Sequence, residues 1–206
     1  MQKNNISHWY YGWFYDKVIA PNQYKLFGII KQMIPKNSTL LDVACATGML
    51  GFYMSDHCKQ ITGIDLSLRN ITIANKNLSK SKISNLKFIH YNALKLEELI
   101  HEKYDFVAIT YAIHEMPEEI RLDVIKQLLN SAKNILIADY AVPQQKNITA
   151  KLNRIIEFIA GKEHFKNFKS FCEIGGIEHY LKILNLSPKK KITFNNGNTD
   201  IFLINQ

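Results

Sequence analysis

The chain has 206 residues, 47% hydrophobic and 21% charged, which is the make-up of a folded protein and excludes wholesale disorder. That length suits one domain (1–206), and no apolar run approaches the roughly 18 residues of a membrane span. The net charge of +8 would suit nucleic acid or an anionic membrane, but the basic residues form no long block, and a solvated basic surface is the simpler reading.

The elements follow in chain order. Residues 40–44 (LLDVA) read as a buried strand and 48–56 as a short helix. Residues 60–64 are a second strand. The helix over 67–79 carries Leu68, Ile71 and Leu78 at helical spacing, with Ser67 as its N-cap. Strands follow at 86–91 and 104–110. The helix over 117–133 has Ile120, Val124, Ile125, Leu128 and Leu129 on one face, and 134–140 is a fifth strand. Short apolar strands alternating with amphipathic helices predict an α/β, doubly wound, mostly parallel sheet with helices on both faces. The last two strands, 191–194 and 201–204, are separated only by the turn-forming NNGNTD. A connection that short predicts a C-terminal antiparallel hairpin.

In such a sheet ligands bind beyond the carboxyl ends of the strands. The first strand ends in LDVACATG (41–48), small residues leading into a helix, which lets backbone approach a ligand closely; any tight strand–helix turn has the same look. Asp65 directly follows the second strand, 23 residues beyond Asp42. It suits the ribose hydroxyls of a nucleoside, or a helix cap. Asn92 after the third strand suits an adenine edge, or an ordinary turn. After the fourth strand comes TYAIHEMP (110–117). There His114 suits a general base, or a residue that orders its loop. Cys45, Cys58 and Cys172 have no metal or disulfide spacing, and residues 1–16 lack a signal-peptide pattern. The expectation is therefore no metal and a cytoplasmic protein.

The segments LLDVACATG (40–48), ITGIDLS (61–67), YDFVAITYAIHEMP (104–117) and ILIADYAVP (135–143) resemble the class I S-adenosylmethionine-dependent methyltransferases. Within these the chain is most similar to the small-molecule group of the ubiquinone and menaquinone pathways. The resemblance runs from about residue 8 to the end. It implies a Rossmann-like methyltransferase sheet, S-adenosylmethionine as cofactor and S-adenosylhomocysteine as product. It also implies that Asp42, Ala44 and Gly48 shape the loop around the methionine part, with Asp65 on the ribose and Leu66 against the adenine. Asn92 and Ala93 would lie at the adenine edge, and Thr110 and Tyr111 beside the transferred methyl group. Ala46 departs from the pattern, since the family has glycine there. Two lids are implied, a helical one over 1–35 containing the aromatic run 8–15, and a helical insertion over 144–186. Tyr15 and His164 are the residues expected to reach the ligand from them, with His114 or His164 as general base.

The segment after the fourth strand has neither the [DNS]-P-P-[YFW] motif of amino-directed nucleic-acid methyltransferases nor a nucleophilic cysteine. A small-molecule acceptor is therefore the leading expectation. A catalytically silent scaffold and an RNA methyltransferase are the alternatives. A nicotinamide-dependent oxidoreductase fits less well, with one loop glycine where its fingerprint has three. The aromatic N-terminus of a basic chain also suits peripheral contact with a membrane.

Overall fold

The computed structural model describes residues 20–205, so Tyr15 and the aromatic run 8–15 lie outside the described residues. Seven strands form one sheet: β1 (Thr39–Val43), β2 (Gln60–Asp65), β3 (Leu86–His90), β4 (Tyr104–Thr110), β5 (Ala132–Tyr140), β6 (Lys190–Phe194) and β7 (Thr199–Asn205). Their order is β3-β2-β1-β4-β5-β7-β6. The first five are parallel, and β7 inserts antiparallel between β5 and β6, as the short turn requires. The helices are α1 (Ala20–Met33), α2 (Met49–Met54), α3 (Leu68–Leu78), α4 (Leu96–Leu99), α5 (Glu118–Ser131), α6 (Ile148–Ala160), α7 (Lys162–Glu173) and α8 (Gly176–Ile183).

The strands are apolar on both faces because both faces are covered. Alternate residues along a strand point to opposite sides. Leu40, Phe106, Ala108, Leu136 and Ala138 pack with Leu26 and Ile30 of α1, Leu50 of α2 and Ile71 of α3. Their neighbours Leu41, Val43, Val107, Ile109, Ile135 and Ile137 pack with Val124 and Leu128 of α5, Phe171 of α7 and Leu181 of α8. Each such fully buried side chain contributes about 1.5–3 kcal/mol by leaving water.

Two features position the functional end. The strand order reverses between β1 and β4, which pair in register from Leu40↔Phe106 to Val43↔Ile109. The chain leaves these neighbours toward opposite sides, so a crevice opens between the loops that follow them. The hairpin turn then anchors the segment above that crevice. Asn195, Asn196 and Gly197 all take positive φ, and buried Asn198 donates from Nδ2 to Asn147 Oδ1 (3.1 Å). Asn147 is itself the N-cap of α6, accepting from Ala150 N at 2.9 Å.

Candidate active site

The crevice is a cleft of about 840 Å³ over the carboxyl ends of β1, β2, β4 and β5. Asp42, Ala44, Ala46, Asp65, Leu66, Asn92, Ala93, Thr110, Tyr111, His114 and His164 all line it. Gly48 does not. It sits behind the loop at φ 86, and a Cβ there would lie 2.2 Å from Phe88 Cζ. Its missing side chain makes room for the Phe88 ring of the core beneath the loop.

Local chemistry explains the loop after β1. Ala44 and Ala46 have φ of 57° and 48°, in the left-handed region that costs a residue with a Cβ about 1–2 kcal/mol. That is the physical reason a glycine suits position 46. The strain is held by Asp65, whose Oδ2 accepts from Ala46 N (2.9 Å) and whose Oδ1 accepts from Ser67 N (2.7 Å). Each carboxylate oxygen has capacity for a second hydrogen bond and Asp65 lines the cleft, so it can hold the loop and still accept from a diol. Ser67 caps α3 by accepting from Asn70 N, as its place before the helix predicts.

Asp42 is 1% exposed, and its Oδ2 is buried without a hydrogen-bond partner. Burial first, then the nearby Asp65 charge, pushes its carboxyl up to about 8. A buried, unsatisfied oxygen beside a left-handed loop fits a ligand that brings a donor or a positive charge. Asn92 uses its carbonyl as a turn cap, accepting from Leu94 N (3.0 Å), which leaves its amide nitrogen for other contacts. Leu66 is 64% exposed on the cleft wall, where a flat apolar group would cover it.

The far half of the cleft holds a buried ionic cluster. His114 Nδ1 stands 2.5 Å from Asp139 Oδ1, so Nδ1 carries the proton. Asp139 Oδ2 also accepts from His114 N (3.2 Å). His114 Nε2 is 3.5 Å from Glu157 Oε1 and 3.9 Å from Glu115 Oε1. Burial alone would lower the imidazole, but the Asp139 charge and hydrogen bond, with Glu157 behind them, hold it well above 6.5. Glu157 is pushed up by burial, yet ends below its ordinary value because His114 and the Tyr140 hydroxyl (2.9 Å) stabilise its charge. Tyr111 donates or accepts with Thr199 Oγ1 at 2.8 Å, and its ring lies 5.6 Å from that of Tyr140.

α7 closes this end. Arg121 is fully buried and reaches from α5 to Met116 O (2.9 Å) and to Asn167 O (2.6 Å), while Asn167 Nδ2 donates to Glu115 O (2.8 Å). These bonds fix Glu163, His164 and Asn167 on the cleft wall. Asp139, Tyr140, Arg121 and Glu157 are absent from the sequence expectations. Asp139 and Tyr140 had a signal, as the polar end of the fifth strand; Glu157 had none, being the lone acid of an apolar helix. Among the described residues no group of three or more His, Cys, Asp or Glu is arranged to hold a metal ion.

Comparison with known proteins follows the same lines. The chain matches the methyltransferase domain family over residues 34–185. It is 26% identical over 147 residues to a demethylmenaquinone methyltransferase of Bacillus licheniformis, covering 67% of this chain and 61% of the relative. It is 27% identical over 141 residues to an uncharacterised RNA methyltransferase of Mycoplasma mobile, covering 68% of this chain but 38% of the relative. The chain thus spans less than two thirds of the length of both relatives. Among solved structures, the N-methyltransferase NodS of Bradyrhizobium japonicum with S-adenosylhomocysteine superposes with a TM-score of 0.66 at 13% identity, covering 94% of this chain and 91% of that one, a likeness of fold. With the family matched over well more than half of its residues, the chain belongs to the methyltransferase domain family.

Proposed function

We propose that the chain methylates a small-molecule acceptor enclosed in the far half of the cleft, between β4, β5 and the helices α6 and α7. When bound, S-adenosylmethionine supplies a methyl group already activated on a sulfonium, so the protein's tasks are to bind, orient and exclude water. In this reading the loop 44–48, Asp42 and Asp65 hold the methionine and ribose parts. Leu66, Asn92 and Ala93 form the adenine wall, and Thr110 and Tyr111 stand at the junction of the two halves.

The lining of the cleft carries the proposal. Five acidic residues (Asp42, Asp65, Glu115, Glu157, Glu163) and one arginine (Arg69) line it, although the chain as a whole carries +8. Burial raises Asp42 to about 8 and Glu115 to about 7, so these two are not fully charged at neutrality, but Glu157 stays ionised. A single arginine offers a polyphosphate backbone little, whereas a neutral or cationic small molecule needs no cationic lining. This supports a phenol, quinol or amine over RNA.

His114 is the proposed proton acceptor, with His164 as the second. Because its two carboxylate neighbours keep His114 protonated near neutrality, it accepts a proton only above its raised pKa. The rate with a hydroxyl acceptor should therefore climb with pH. The test is release of S-adenosylhomocysteine from the full chain given phenols, quinols, small amines or RNA in parallel, with His114→Ala and His164→Ala from about pH 6 to 9. Turnover with a small molecule supports the reading. Turnover with RNA alone, lost as salt is raised, sinks the small-molecule reading, and wild-type rates in both His variants sink the base assignment.

A further inference from the structure

Helix α6 is built inside out. An amphipathic helix on a globular protein turns its apolar stripe to the core. In α6 the stripe turns to solvent: Ile148 is 77% exposed, Leu152 44%, Ile155 52%, Phe158 67% and Ile159 46%. At 100° per residue, Ile148, Leu152, Ile155 and Ile159 fall within one narrow sector. On the opposite side, which faces the body, the buried residues are Ala150 and the charged Glu157, with Asn153 beside them on the cleft wall. Burying the acid beside His114 forces this orientation on the helix, since rotating the apolar stripe inward would carry Glu157 into water. Five large apolar residues on one short helix exceed the scattered exposure expected of a surface.

The exposed residues around the stripe are predominantly basic, with Glu163 and the Lys169-paired Glu173 of α7 the exceptions. Lys151 and Arg154 are exposed along α6, Lys146 is exposed in the loop just before it, and Lys162, Lys166 and Lys169 continue the exposed basic series onto α7. An apolar stripe beside cationic side chains is the pattern of a helix that lies in the plane of an anionic bilayer, its apolar face among the acyl chains and its cations at the headgroups. Leu152 belongs both to the stripe and to the cleft wall, so the docked face borders the cleft.

We infer that the outer face of α6 is a membrane-docking surface, and that it seats the protein on bilayers containing anionic lipid with the cleft beside the headgroups. This inference is independent of which acceptor is methylated. The probe is co-sedimentation of the full chain with vesicles of phosphatidylcholine alone or with phosphatidylglycerol added. Binding is expected to the anionic vesicles and to weaken with salt. Ile155→Asp with Phe158→Asp, both at exposed sites and so compatible with folding, should lower partitioning by about tenfold or more, and Lys151→Glu with Arg154→Glu by a similar factor. A melting temperature kept in each variant excludes unfolding. Ile155→Trp should be quenched by brominated acyl chains, which reports insertion directly. Absence of vesicle binding overturns the inference, as does unchanged binding in the double-aspartate variant. Vesicle binding that appears only after residues 1–19 are removed assigns the stripe to the N-terminal segment and overturns it too. So does a dimer in solution that the double-aspartate variant dissociates.

Discussion

Replacing Gly48 by alanine should unsettle the loop after β1 by a calculable amount. Two terms add. Gly48 has φ 86, where a Cβ costs about 1–2 kcal/mol. The new methyl carbon would lie 2.2 Å from Phe88 Cζ and 2.5 Å from Cε1. Phe88 is 6% exposed and packed against Phe52 at 5.5 Å between centroids, so its ring cannot swing aside freely; relief by backbone and rotamer shifts costs about 1–3 kcal/mol more. The sum of about 2–5 kcal/mol is a sizeable share of a domain's stability, and at roughly 2–4 °C per kcal/mol for this chain length it lowers the melting temperature by about 4–20 °C. Thermal melts by circular dichroism read the first effect, and calorimetric titration with S-adenosylhomocysteine reads the accompanying loss of affinity. Adding Phe88→Leu should return part of the stability by removing the clash, leaving the backbone cost, and the two substitutions should be markedly non-additive. A Gly48→Ala protein melting within about 2 °C of the wild type would refute the packing of Phe88 under the loop.

Ala46→Gly should act in the opposite sense: release of left-handed strain at φ 48 roughly offsets the added freedom of the unfolded chain, about 0.4–1 kcal/mol, so the melting temperature stays within about 2 °C and the cofactor binds at least as tightly by calorimetry. Asp42→Asn tests the buried carboxyl. Burial and the Asp65 charge raise it from an ordinary 3.8 to about 8, so its stabilising contribution is complete below the ordinary value and is lost as pH rises to about 8; the variant should show a flatter melting-temperature profile across that window and a higher melting temperature at its alkaline end. Asp139→Asn removes the partner that outweighs burial at His114; in a histidine-detected NMR titration the wild-type imidazole should stay protonated through the range where a free histidine titrates, whereas the variant's should titrate below about 6.5, and an unshifted resonance would contradict the ionic cluster.

What was legible in the sequence rested on local, periodic signals. Strand apolarity, the 3.6-residue pattern of the helix ending at Ser131 and the turn residues Asn195 to Gly197 each depend on neighbours in the chain. The parallel sheet and its antiparallel close followed from them. The pattern on which the proposed cofactor half rests was legible for the same reason, because a strand end, a small-residue loop and an acid after the next strand are fixed offsets. Strand ends moved by a residue or two where backbone geometry intervened, as when Ala44 turns to φ 57 and stops β1 at Val43.

The far half of the cleft was decided by the tertiary structure alone. His114 reads as an isolated polar residue until Asp139, 25 positions away on the adjoining strand, and Glu157 from a helix above it close around the ring. No local pattern encodes which acid will share a buried space with which base. The same burial reverses α6: its sequence is that of an ordinary amphipathic helix, and only the seat of Glu157 inside the fold turns its apolar side outward. A sequence specifies how a helix is patterned, whereas the direction that pattern faces is set by the most costly group to leave misplaced, here a carboxylate paired in a medium that screens it poorly.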